Sequence, residues 1–137
     1  MKTLFMLIDD DTINNFITES YLDCFFTDVA AVSFTKAADA LGYLEKNRAM
    51  PEMHPRFILL DINMPVMNGW DFLDQYHRAN LEDDYTNTEI YLLTSSIYAG
   101  DIDRASEHPL VKKYITKPID EIGLAKIIGG PQQKMTG

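Results

Sequence analysis

Four places along this chain carry side chains able to do chemistry together. They are the acidic run Asp9-Asp10-Asp11, then Asp61, Thr94 and Lys117, and each of the four closes a short apolar run. Asp9, Asp10 and Asp61 brought close would carry about −3, and like charges at short range raise carboxylate pKa values and resist ionisation. A Mg²⁺ ion with the ammonium of Lys117 would supply about +3, and Mg²⁺ favours one or two carboxylates, waters and a substrate phosphate over a full protein cage. Such a site is built to receive a phosphoryl group. An Asp carboxylate can act as nucleophile and form an aspartyl phosphate, while Lys117 and the Thr94 hydroxyl can bind phosphoryl oxygens.

The elements that must position these residues are legible as periodicities. Leu4–Ile8, Phe57–Leu60, Ile90–Leu93 and the shorter Tyr114–Ile115 are apolar runs, with a weaker one at Val29–Phe34. Continuous rather than alternating hydrophobicity marks strands covered on both faces, as in a parallel sheet. Between them lie helical patterns: Ile13, Phe16, Ile17 and Cys24 (with Tyr21) on one face; Ala37, Leu41 and Leu44 over 36–48; Phe72, Leu73 and Tyr76 after Gly69; a weak segment from Ala99 to Glu107; and Leu124, Ile127 and Ile128. Asp120 suits an N-cap for the last helix and Gly129-Gly130-Pro131 a stop. Strand and helix alternate about five times, which predicts an α/β fold, a doubly wound parallel sheet with right-handed crossovers. In an open parallel sheet, ligands bind outside the carboxyl ends of strands at the topological switch point. The polar strand ends then converge in one crevice.

Composition narrows the class. The chain has 137 residues, 46% hydrophobic and 24% charged, with 21 acids against 12 bases and a formal net charge of −9. One globular domain is expected. The acid excess argues against a nucleic-acid or anionic-membrane binder, which needs a basic footprint. Cys24 is the sole cysteine, which excludes an internal disulfide and a thiolate zinc cluster. The apolar stretch at the N-terminus is too short for a signal-peptide core, and no run approaches the ~18–20 residues of a membrane span. A cytoplasmic location follows as an expectation. Met50–Pro55 and the polar, acidic Ala79–Thr88 read as irregular segments. His54, His77 and His108 lack metal-ligand spacing and are expected at the surface, Cys24 in the core, and Asn68-Gly69 as a turn that starts a helix. Trp70 and the methionines are expected to serve packing or a partner surface.

With Leu7-Ile8-Asp9-Asp10-Asp11, then Leu59-Leu60-Asp61-Ile62-Asn63-Met64-Pro65-Val66-Met67-Asn68-Gly69, Leu93-Thr94-Ser95 and Tyr114-Ile115-Thr116-Lys117-Pro118 in this order, the chain resembles a response-regulator receiver domain of two-component signalling. The resemblance runs from residue 4 to about 128. It implies a flavodoxin-like five-stranded sheet of order 2-1-3-4-5 with helices on both faces. It implies Asp61 as phosphoacceptor, Asp10 as direct Mg²⁺ ligand with Asp9 beside it, and the backbone carbonyl of Asn63 as a third protein ligand. Thr94 and Lys117 match the phosphate-sensing pair, Tyr114 the switch aromatic, and Pro118 a position where the family has a cis peptide; Asn63 and Ser96 match rate-tuning positions. A histidine kinase or histidine phosphotransfer protein would donate the phosphoryl group, and a downstream protein would read the change on the face formed by residues 99–107, the fifth strand and the last helix. Residues 1–130 would form the receiver domain and 131–137 a short tail without an effector domain. The chain would be a switch that catalyses its own phosphorylation and dephosphorylation rather than an enzyme on other substrates.

Three features depart from the family pattern. Asp11 extends the acid pair to three, His108–Lys113 replaces a small turn before the switch aromatic, and the acidic segment 79–88 is long. Two other classes compete. A haloacid-dehalogenase-type phosphatase would use Asp9 as nucleophile in the Asp-x-Asp pattern Asp9-Asp10-Asp11. It needs further acidic ligands on a strand after the Lys, where this chain reads as a helix, and leaves Asp61 and its following motif unused. A non-phosphorylated receiver-like binding module would have lost the nucleophile, the Lys or the acid pair, and all are present.

Overall fold

The structure, a computed structural model, describes residues 2–95 and 99–129. Ser96 and the expected tail at 131–137 lie outside the described residues. Five strands, β1 (Thr3–Ile8), β2 (Val29–Phe34), β3 (Phe57–Asp61), β4 (Glu89–Thr94) and β5 (Val111–Thr116), pair in parallel in the order β2-β1-β3-β4-β5. The connections are helical: α1 (Thr12–Phe25), α2 (Ala37–Lys46), α3 (Gly69–Arg78), a short α4 (Leu81–Asp84), and α5 (Ala99–Glu107), with α6 (Glu121–Ile128) closing the described chain.

The unbroken apolar runs are explained by cover on both faces. Side chains alternate across a strand, so Met6, Ile8, Ile58, Leu60 and Leu92 meet Ala40, Leu44, Phe72, Leu73 and Leu81 on one side. Phe5, Leu7, Phe57, Leu59 and Leu93 meet Leu22 and Leu124 on the other. No helix among the described residues is long and apolar enough to cross a membrane. The helix ends follow local chemistry. Asp120 caps α6 by accepting from the Gly123 N–H, and Gly129 ends it at φ 73°, a left-handed stop that glycine takes without steric cost. Asn68 and Asp71 cap α3 reciprocally.

Four expectations are corrected. First, α1 presents a different face to the sheet: Asn15, Thr18 and Leu22 are buried, while Ile13, Phe16 and Ile17 are 69%, 67% and 41% exposed and Cys24 is exposed rather than in the core. Polar residues can face inward here because they are satisfied. The Asn15 amide donates to the Asp9 carbonyl at 2.9 Å and the Thr18 hydroxyl to the Asn14 carbonyl at 3.0 Å. Second, the acidic segment 79–88 contains α4 and two core anchors, Leu81 and Tyr85. The Tyr85 hydroxyl donates to the Leu44 carbonyl at 2.5 Å, and Arg48 joins Asp84 at 2.6 Å and the Asn80 carbonyl at 3.2 Å. The segment fastens the end of α2 to the body.

Third, β5 starts earlier than Tyr114, at Val111, with Lys112 and Lys113 both exposed along it. A register shift between Ile90 and Tyr91 accommodates this outer strand. Fourth, His54 and His108 are half-buried rather than surface residues. His54 Nε2 donates to the Asn47 and Arg48 carbonyls at 3.0 and 2.9 Å, serving groups that a helix end leaves unpaired. His108 Nδ1 accepts from the Leu110 N–H at 3.2 Å, which shapes the turn into β5.

Candidate functional site

The carboxyl ends of β1 and β3, where the chain order switches direction, bring the acids together. β1 ends at Ile8, and the Asp9 N–H extends its ladder to the Phe34 carbonyl at 3.0 Å. This pulls the Asp9 side chain inside, where it is 2% exposed. Its Oδ1 accepts from the Asp11 N–H at 2.9 Å, and its Oδ2 accepts from Asn14 Nδ2 at 2.7 Å and lies 2.8 Å from Lys117 Nζ. Asp11 turns away to cap α1, accepting from the Ile13 and Asn14 N–H groups at 3.0 and 3.3 Å. The acidic triplet therefore divides into two cluster members and one helix cap.

Asp61 closes β3 and is 4% exposed. It is held more loosely than Asp9: its Oδ1 accepts from the Asn63 N–H at 3.3 Å and lies 3.6 Å from Lys117 Nζ. Carboxylate oxygens of Asp9, Asp10 and Asp61 lie within 4.8 Å of one another, with Asp10 exposed. Gly69 makes this packing possible. A Cβ there would sit 2.9 Å from the Asp61 carbonyl oxygen and 2.9 Å from the Ile62 Cα, so α3 can begin against the end of β3 only without a side chain.

The remaining strand ends deliver the other groups. Thr94, fully buried at the end of β4, lies 3.5 Å from the Asn63 amide nitrogen. Its carbonyl accepts from the Lys117 N–H at 2.8 Å, which seats Lys117 beside it. The Lys117–Pro118 bond is cis. Tyr114 is half-buried on β5 and packs against the larger core. Of the site residues read from sequence, Asp9, Asp10, Asp61, Asn63, Thr94 and Lys117 are gathered here, and Tyr114 stands further along β5.

Charge is unbalanced in this crevice. Burial, followed by the neighbouring Asp9 carboxylate, pushes the Asp61 pKa up to about 6, against the pull of Lys117. Burial by itself would lower Lys117, but Asp9 and Asp61 outweigh it and hold the ammonium above its ordinary range. Three carboxylates face one ammonium, all donors are hard oxygens, and one acid opens to solvent. This donor set fits a hard divalent cation such as Mg²⁺.

Two residues of the site escaped the sequence reading. Asn14 and Asn15 grip the carboxylate and the carbonyl of Asp9 respectively. The available signal was an amide pair in the first turn of the helix that follows the acids.

Over residues 5–129 the chain matches the family described as response regulator receiver domain. A two-component response regulator from Cytophaga hutchinsonii is 28% identical, with a TM-score of 0.82 over 93% of this chain and 96% of that one. A CheY-like receiver domain protein from Methanospirillum hungatei JF-1 is 26% identical, with a TM-score of 0.68 over 93% and 91%. The peroxide stress-activated histidine kinase mak1 of Schizosaccharomyces pombe is 28% identical over 126 residues, 91% of this chain but only 7% of that protein. The family match reaches from β1 to the end of α6 and takes in every strand end that carries a polar side chain, and by it the chain belongs to the response regulator receiver domains.

Proposed function

We propose that Asp61 accepts a phosphoryl group from the phosphohistidine of a histidine kinase or histidine phosphotransfer protein, in a Mg²⁺-dependent reaction. The modified domain then signals through a downstream protein or passes the group onward. The observation that carries this reading is the unequal fixing of two buried acids. Asp9 has both carboxylate oxygens engaged at 2.7–2.9 Å, whereas the contacts of Asp61 are 3.3 and 3.6 Å long. A nucleophile needs an oxygen free to attack, which favours Asp61 over Asp9.

In the reaction an Asp61 oxygen bonds to phosphorus, the phosphorus–nitrogen bond to the donor imidazole breaks, and the imidazole leaves with a proton from solvent. Asp9, Asp10, Asp61 and the Asn63 backbone carbonyl would hold Mg²⁺, which supplies neutralisation of the charge on the carboxylates and the phosphoryl oxygens. The Thr94 hydroxyl and the Lys117 ammonium bind the phosphoryl oxygens. The product carries about −1.5 to −2 where the carboxylate carried −1. Lys117 leaves Asp9 for the new charge, Thr94 follows, and Tyr114 turns into the space vacated. This biases a two-state equilibrium on the α5–β5–α6 face. The donor protein rests on the exposed apolar stripe Ile13, Phe16 and Ile17 and on Val66, which is fully exposed in the loop beside Asp10. The domain catalyses its own phosphorylation and dephosphorylation but serves as a switch.

Incubation with Mg²⁺ and acetyl phosphate, followed by intact mass, tests the reading. Wild type gains one phosphoryl group and Asp61→Asn gains none. Labelling of Asp61→Asn but not of Asp9→Asn would transfer the nucleophile to Asp9 and make the site that of a phosphatase. An unlabelled wild type, also silent to beryllofluoride by NMR, would leave a binding module.

A further inference from the structure

We infer that Asn14 is a positioning residue of this site, whose side-chain amide holds the Asp9 carboxylate in the orientation a divalent cation requires. The inference rests on the reading of the acid cluster as a Mg²⁺ site. Asn14 already completes its helical duties with its backbone: its N–H reaches the Asp11 cap at 3.3 Å and its carbonyl receives the Thr18 hydroxyl at 3.0 Å. The side-chain amide nitrogen donates to Asp9, at 2.7 Å from Oδ2. That distance is shorter than the 2.9 Å of the Asn15 amide on the Asp9 carbonyl. Consecutive amides therefore clamp one residue at both ends, the backbone by Asn15 and the carboxylate by Asn14.

The chemistry of the donor matters. Asp9 Oδ2 has a second partner, Lys117 at 2.8 Å, which also lies 3.6 Å from Asp61. Lys117 is mobile in function, since its charge is needed wherever the phosphoryl oxygens are. Once it leaves, Asn14 is the side-chain donor that stays on Oδ2. An amide can hold the carboxylate there without adding a positive charge beside the cation, which a lysine or arginine would do. Partners that orient a metal ligand in this way are worth roughly tenfold or more in affinity.

The test titrates Mg²⁺ calorimetrically into metal-free wild type and Asn14→Ala, and measures labelling by acetyl phosphate against Mg²⁺ concentration. Asn14→Ala is expected to bind Mg²⁺ about tenfold more weakly. Its half-saturation for labelling rises by the same factor, and its metal-free melting temperature falls as well, since the buried Asp9 carboxylate loses a donor. Asn14→Ser, whose hydroxyl is a shorter reach than the amide, repeats the measurement should the alanine variant fold poorly. Unchanged Mg²⁺ affinity in the folded variant overturns the inference, whether or not its melting temperature falls, because Asn14 would then serve only the helix start. A wild type that binds no Mg²⁺ overturns the reading of the site itself, a result distinct from the first.

Discussion

Asp61 is a carboxylate kept where folding alone would not keep it. Its pKa, pushed up to about 6 by burial and by Asp9, lies above the value of about 3.9 expected in the unfolded chain. Between these values the folded state binds more protons than the unfolded state, so stability falls as pH rises from about 4 to about 6 and stays reduced at neutral pH. Asp61→Asn removes the buried charge. Without Mg²⁺ at neutral pH its melting temperature is expected to exceed that of wild type by about 5 °C, and its pH profile flattens between about 4 and 6. Thermal melts in chelator across this range check both. A melting temperature below wild type would mean that the Asn63 and Lys117 contacts outweigh the repulsion from Asp9.

Among the elements, α4 and α1 depart furthest from what their sequences suggest. α4 lies in an acidic stretch, yet Leu81 and Tyr85 stand four apart and anchor it in the core. Tyr85→Phe leaves the Leu44 carbonyl, close to the end of α2, without its buried donor. The expected loss is about 1–2 kcal/mol in urea unfolding, with Mg²⁺-dependent labelling unchanged. The outer stripe of α1 makes the opposite prediction. Phe16→Asp introduces a charge at a residue 67% exposed, so stability should move by no more than about 0.5 kcal/mol. Labelling by acetyl phosphate should stay as in wild type, while transfer from a phosphorylated histidine phosphotransfer protein slows at least tenfold. Equal transfer from the protein donor would remove the apolar stripe from the proposed docking face.

At the scale of the whole molecule, the sheet was legible because buried strands are written as unbroken apolar runs, and the crevice because each run ends in a side chain unsuited to a core. Asp61, Thr94 and Lys117 are far apart in sequence and meet for that reason alone. The facing of α1 was not legible. Ile13, Phe16 and Ile17 have helical spacing, but periodicity defines a stripe without saying whether it points inward. The inward side carries Leu22 in the core with Tyr21 and Phe25 against it, beside an Asn15 that reaches the Asp9 carbonyl. The Asn14 and Asn15 clamps stayed hidden because amide partners are fixed by three-dimensional placement rather than by residue type. The exposed pair Lys112 and Lys113 on β5 has a further consequence for the protein in concentrated solution. An open sheet ends in two rows of unpaired backbone groups, and lysine along such a row discourages another chain from adding a strand. β2, the opposite margin, reads Val-Ala-Ala-Val-Ser-Phe and has no charge of its own. Replacing both lysines by threonine should let the β5 margin of one molecule meet the β2 or β5 margin of the next. Light scattering at high protein concentration is expected to rise in that double variant and not in wild type, since a strand added at β5 would have to crowd the charged ends of both lysines.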